Sequence, residues 1–204
     1  MTPEEVRTFE RCIAVGGVAL FPADTVYGLA TEPDSKEGVR RLYEIKGRRP
    51  GKPAAVMFFR LELALEALPE LPERTREALK QLLPGRVTAL LPNAAHRYPL
   101  ACGPTPDVIG LRVPELQAEL GPLAAMPWPI LQSSANLSGK AEAKRIADVD
   151  ERVRNKVDMI LDGGDLPGAP STVVDLTGYH EDGRYTILRT GALSDAEVRA
   201  ALVP

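Results

Sequence analysis

Lys46-Gly47-Arg48 and Ser134-Ala135-Asn136, the second inside the run Ser133-Ser134-Ala135-Asn136-Leu137-Ser138-Gly139, carry the side chains best suited to chemistry in this chain of 204 residues. Two cations, a hydroxyl and an amide are what is needed to hold phosphate groups. An ammonium acts as a compact point charge, whereas a guanidinium grips two oxygens at once. Spaced i, i+2, the two cations would project to one side of an extended segment, and Gly47 would leave the backbone open to a ligand. The serine-rich run reads as a turn after a strand that presents donors to an anion. Its hydroxyls and amide can equally satisfy their own backbone, so from the residues alone the two readings stand level.

Asp24-Thr25-Val26-Tyr27-Gly28 places a carboxylate, two hydroxyls and a glycine after a buried apolar run, where ligands collect in α/β folds. Ser171-Thr172 and Arg189 fall at predicted strand ends. Around the first motif Arg40, Arg41, Lys46, Arg48, Arg49 and Lys52 are opposed only by Glu44, and Pro50, Gly51 and Pro53 turn the second half of that run into a loop. The chain has no G-x-x-x-x-G-K-[ST] or G-x-G-x-x-G loop, no G-x-S-x-G elbow and no Cys/His metal cluster. Its two histidines, His96 and His180, lie in polar or Pro/Gly-rich stretches and read as surface residues. Chemistry here would therefore rest on positioning and charge stabilisation rather than on a side-chain nucleophile.

The elements that must position these groups follow from caps and periodicity. Thr2-Pro3-Glu4-Glu5 is a capping box opening a helix to about Val15, and Ser35 caps a second that runs into Lys46. Val18–Phe21, Ala54–Phe59, Val87–Leu91, Val108–Val113, Ile130–Gln132 and Met159–Leu161 read as strands, and Leu61–Leu68 and Glu73–Leu83 as helices. A short helix is expected over Glu115–Leu120 and a longer one over Lys144–Val153. Thr172–Leu176 and Tyr185–Arg189 read as a hairpin-like pair turning at Asp182-Gly183, and Ser194-Asp195-Ala196-Glu197 opens a terminal helix. Interleaved strands and helices without a long linker or repeat predict an α/β or mixed α+β fold, one twisted sheet covered by helices, as a single domain over 1–204.

A formal net charge of −3, with 44% hydrophobic and 26% charged residues, argues against bulk nucleic-acid binding through a basic coat. Cys12 and Cys102 match no metal or redox spacing, which points to packing and a reduced, cytoplasmic setting. The uncharged stretch from Leu120 to Gly139 is interrupted by Pro122, Pro127 and Pro129, so no membrane span is expected there. The acidic start, without an apolar core, does not read as a signal peptide.

Taken in order, several segments resemble the YrdC family of threonylcarbamoyl-AMP synthases. They are Pro22–Leu29, Leu42–Arg48, Leu83-Pro84-Gly85 with Thr88, Arg112-Val113-Pro114, Ser133–Gly139, Ile160–Gly164, Ser171–Asp175 and Ile187–Gly191. The resemblance covers nearly the whole chain and implies a twisted, mixed parallel and antiparallel sheet flanked by helices around a large, positively charged concavity. It implies that L-threonine and bicarbonate form a carbamate that attacks the α-phosphate of ATP, with Mg2+ bound to the triphosphate, giving threonylcarbamoyl-AMP and pyrophosphate. Downstream proteins would pass the threonylcarbamoyl group to a tRNA adenosine. Lys46, Arg48, Ser134 and Asn136 match the family's KxR…SxN tetrad at the ATP phosphates and the carbamate. Thr25 and Arg112 match threonine-binding positions, and Ser171 and Arg189 match residues near the nucleotide.

Ala23, Met57 and Arg86 stand where family members often carry threonine, histidine and proline. Met57 bears on the threonine pocket, which leaves the amino-acid substrate open. The rival readings are a divergent paralogue of the YciO kind and a non-catalytic module that binds double-stranded RNA or serves ribosome maturation. Direct RNA contact remains open on any of them.

Overall fold

Residues 1–48 and 51–202 are described by the computed structural model, so Arg49 and Pro50 of the basic run lie outside the described residues. Strands β1 (Ala19–Pro22) and β2 (Tyr27–Thr31) are buried along their whole length and pair antiparallel, with Pro22 opposite Tyr27. The Asp24 segment is thus the tip of a hairpin. With β3 (Ala55–Met57), β4 (Val87–Pro92), β5 (Val108–Arg112), β6 (Ile130–Ser134), β7 (Met159–Ile160), β8 (Thr172–Asp175) and β9 (Thr186–Arg189), these strands form one sheet in the order β7-β1-β2-β6-β3-β5-β4-β8-β9. The pairs β1·β7, β3·β5 and β4·β8 are parallel and the others antiparallel, which is the mixed sheet expected.

Several helices begin at side-chain caps. Helix α1 (Pro3–Ala14) has a reciprocal Thr2–Glu5 box and buries Val6, Phe9 and Ile13. Helix α2 (Lys36–Ile45) starts with Ser35 Oγ accepting from the Gly38 amide at 3.0 Å and buries Val39, Leu42, Tyr43 and Ile45. Helices α3 (Leu61–Ala67), α4 (Glu73–Leu82), α5 (Pro99–Cys102), α6 (Glu151–Arg154), α7 (Tyr179–Asp182) and α8 (Asp195–Leu202) complete the described elements. The last opens on a Ser194–Glu197 box. None of these helices is long and apolar enough to cross a membrane.

Because side chains alternate along a strand, the sheet has two different faces. One carries the in-register row Leu131, Val56, Leu111, Ala89 and Val174, all fully buried. The other carries the row Gln132, Ala55, Gly110 and Leu90, of which the last three are only half-buried. Ser134, Arg112, Thr88, Val173 and Arg189 share this second face by the same two-residue period. It is the face that can meet a ligand.

Three expectations are corrected. Glu115–Leu120 is not a helix; a 3-10 turn lies instead at Gly121–Ala125. The Glu115 amide donates to the Asp24 carboxylate at 3.0 Å, which ties the start of this segment to the tip of the β1–β2 hairpin. Lys144–Val153 is broken into a 3-10 turn at Ile146–Asp148 and α6. The Lys144 carbonyl accepts from Leu166, and the Asp150 side chain caps a fresh start by accepting from the Arg152 amide at 2.9 Å. Strands β8 and β9 pair antiparallel, but α7 fills their connection and Gly183 ends it at φ +79°. Strand β2 and helix α5 have no counterpart in the sequence reading.

Candidate active site

Lys46-Gly47-Arg48 is not extended. Lys46 is the C-cap of α2 with helical backbone angles, Gly47 turns at φ +57°, the Gly47 amide returns to Glu44 O at 3.1 Å and the Arg48 amide to Tyr43 O at 2.9 Å. This is a left-handed helix exit, and the glycine is required by its backbone angle. The exit sends the two cations to different partners instead of to one side.

Lys46 turns inward. Its side chain is buried, and Nζ donates to the main-chain oxygens of Ser134 and of Asn136 (2.9 Å), with Asn136 Oδ1 at 3.5 Å. Ser134 Oγ donates to Asn136 Oδ1 at 2.6 Å, and Asn136 Nδ2 donates to Lys140 O. The Ser138 amide donates to Lys46 O at 3.0 Å, so the two motifs grip each other through main chain and side chain alike. Burial, with Arg48 nearby, pulls the Lys46 ammonium down to about 8, partly opposed by Glu142.

Arg48 takes the other direction. Nη1 donates to Ser133 Oγ at 2.8 Å, Nη2 donates to Pro53 O, and the guanidinium lies 5.6 Å from the Tyr43 ring centroid. Burial lowers its pKa, and Nε is buried with no hydrogen-bond partner among the described residues.

Across the sheet, Arg112 Nη2 donates to Asp24 Oδ1 at 2.6 Å, with Thr25 Oγ1 at 3.4 Å. Burial raises the pKa of the Asp24 carboxyl against the opposing pull of Arg112. Thr88 and Ser171 share a hydroxyl–hydroxyl bond at 2.8 Å, and Arg189 Nη2 donates to Ser171 O at 2.7 Å.

A cavity of about 200 Å³ joins these groups. Thr25, Arg48, Arg112, Ser134, Ser171 and Arg189 line it, whereas Lys46 and Asn136 are not part of the lining. Gln132, Ser133, Thr88 and Glu142 also line it. Thr88 and Ser133 both lie in segments that resemble the family. The Gln132 signal was its place two residues before Ser134, on the same strand face. Glu142 had no local signal, because an irregular segment brings it in. Three arginines facing one carboxylate, with hydroxyls between them, suit anionic groups held by charge-assisted hydrogen bonds.

The family profile described as telomere recombination, Sua5/YciO/YrdC, matches residues 11–191. The chain belongs to this family. It is 30% identical over 199 residues to the threonylcarbamoyl-AMP synthase of Pyrococcus abyssi, covering 97% of this chain and 57% of that protein. Against the human threonylcarbamoyl-AMP synthase it is 30% identical over 197 residues, covering 92% of this chain and 67% of the other. A crystal structure of P. abyssi Sua5 complexed with L-threonine matches with a TM-score of 0.81 at 28% identity, covering 100% of this chain and 58% of that one. The chain therefore has the Sua5/YrdC fold while spanning little more than half the length of the P. abyssi relative.

Proposed function

We propose that the chain is a threonylcarbamoyl-AMP synthase, a nucleotidyltransferase that uses L-threonine, bicarbonate and ATP. The observation that carries this reading is the convergence of Arg48, Arg112 and Arg189 with Thr25, Ser134 and Ser171 on one cavity. The reaction brings a carbamate anion against a phosphate anion, so its main requirement is positive charge fixed on both. The carbamate oxygen forms a bond to the α-phosphorus while the bond to pyrophosphate breaks, and no covalent enzyme intermediate is required.

In this reading Thr25 and Arg112 hold threonine, with the arginine at its carboxylate. Arg48 and Ser134 meet the phosphates, while Ser171 and Arg189 lie by the nucleoside. Lys46 and Asn136 of the tetrad act mainly by holding the Ser134 loop in shape. The cavity is smaller than the roughly 300–1,000 Å³ usual for drug-sized ligands, so the nucleotide would extend out over its rim. Mg2+ would arrive with the triphosphate, since it is ordinarily held by phosphates and one or two carboxylates; Glu142 is the carboxylate at hand. Transfer to tRNA would pass through further proteins, placing the activity in the cytoplasm.

Pyrophosphate release from ATP, with threonine and bicarbonate omitted in turn, tests the reading. Release that requires both is expected. Release that ignores threonine overturns it and favours a divergent paralogue, and RNA binding without ATP turnover favours the non-catalytic module.

A further inference from the structure

Asp24 occupies a costly backbone conformation and uses both carboxylate oxygens. Its φ is +60°, in the left-handed region that Asp enters more readily than most residues. The turn around it is tight, with the Thr25 amide donating to Ala23 O at 2.7 Å and the Ala23 amide to Val26 O at 3.2 Å. From this turn Oδ1 accepts from Arg112 Nη2 at 2.6 Å and Oδ2 from the Glu115 amide at 3.0 Å. The Arg112 and Asp24 side chains are only 3% and 1% exposed.

A buried ion pair is costly unless its hydrogen bonds are complete. Here the carboxylate is well supplied and the guanidinium is not. Its protein contacts crowd onto Nη2, which also lies 3.4 Å from Ala23 O and from Thr25 Oγ1. Arg112 Nε is buried with no partner among the described residues, and the residue lines the cavity. A guanidinium anchored through one nitrogen, with another donor unspent beside a cavity, is set up for a second anion.

We propose that Asp24 is a positioning residue for the carboxylate of the amino-acid substrate. It sets the angle of Arg112 and offsets its charge, so that a zwitterion is not met by an unbalanced cation. The proposal rests on the assignment of Arg112 to the amino acid made above. It predicts an effect on the amino-acid KM and none on the nucleotide KM.

The test compares Asp24→Asn, which keeps an acceptor and tolerates the left-handed backbone, with Asp24→Gly, which keeps the backbone and removes the side chain. Threonine-dependent pyrophosphate release is measured with KM for threonine, KM for ATP, kcat and the thermal midpoint. The threonine KM should rise about tenfold in Asp24→Asn and up to about a hundredfold in Asp24→Gly, the range set by losing a hydrogen bond to a charged group. The ATP KM should stay within about twofold, as expected when only one ligand's contacts are disturbed. If Asp24→Gly does not fold, Asp24→Asn decides alone. An unchanged threonine KM, or one that rises only in step with the ATP KM and a falling thermal midpoint, overturns the positioning role while the functional reading stands. Wild-type release that ignores threonine overturns both.

Discussion

The Lys46 ammonium lies 2.9 Å from the main-chain oxygen of Asn136, a residue ninety positions further along the chain. Through this contact the two polar motifs become one unit. Lys46 fixes the loop that presents Ser134, while Arg48, two residues on, faces the cavity. The pair of cations is thereby divided into one that shapes the site and one that lines it.

This division has a pH signature. Burial and Arg48 bring Lys46 down to about 8 from 10.5. Deprotonation removes a donor that three acceptors require, so kcat/KM for ATP should fall on an alkaline limb with an apparent pKa of about 8. Bound phosphates favour the charged form and should move the limb in kcat upward. Lys46→Arg keeps the charge at high pH and should abolish the limb, whatever its basal rate. A flat profile across the alkaline range would remove Lys46 from the site.

Stability should move the opposite way. Between the folded value of about 8 and the unfolded value of 10.5, the unfolded chain binds the extra proton. The contribution of this group to unfolding free energy therefore rises with pH across that window. Denaturant midpoints of the wild type and Lys46→Met should converge in that direction as the pH is raised.

Arg48→Ala should reduce synthase activity by about 10²-fold or more, the scale of losing a preorganised electrostatic contact, and Lys46→Ala by about 10²-fold through misplacement of the Ser134 loop. Arg48→Lys should rescue little, because a single ammonium cannot span Ser133 Oγ and Pro53 O as the guanidinium does. Pyrophosphate release checks all three; a wild-type rate in Arg48→Ala would move the phosphates elsewhere, and one in Lys46→Ala would remove its role in shaping the Ser134 loop.

Two glycines should fail for different reasons. Gly47→Ala meets nothing within 4 Å, so its cost is the left-handed backbone alone, about 1–2 kcal/mol. Gly47→Asn should recover part of that. Gly163→Ala would put its Cβ 2.5 and 2.6 Å from ring atoms of Pro22 and 2.8 Å from Leu120, an overpacking cost of about 1–3 kcal/mol that Asn would worsen. Urea unfolding of the four variants separates the two causes.

Local chemistry was readable in the chain. The Thr2–Glu5 and Ser194–Glu197 boxes and the Ser35 cap each depend on residues three positions apart. The segments from Pro22 to Gly191 that resemble the family also carried the mixed sheet. Lys144–Val153 misread because the group that takes the Lys144 carbonyl, the Leu166 amide, approaches from a distant part of the chain.

Residue type and order therefore established where the helices capped by Thr2, Ser35 and Ser194 start, which family the chain joins and which cations and hydroxyls are available. They left open how those groups divide their work. Folding turned Lys46 towards the Asn136 loop, paired Arg112 with Asp24 and brought Glu142 to the cavity. Those outcomes depend on strand order and register, which place residues far apart in the chain within hydrogen-bonding distance. No local propensity encodes such a distance.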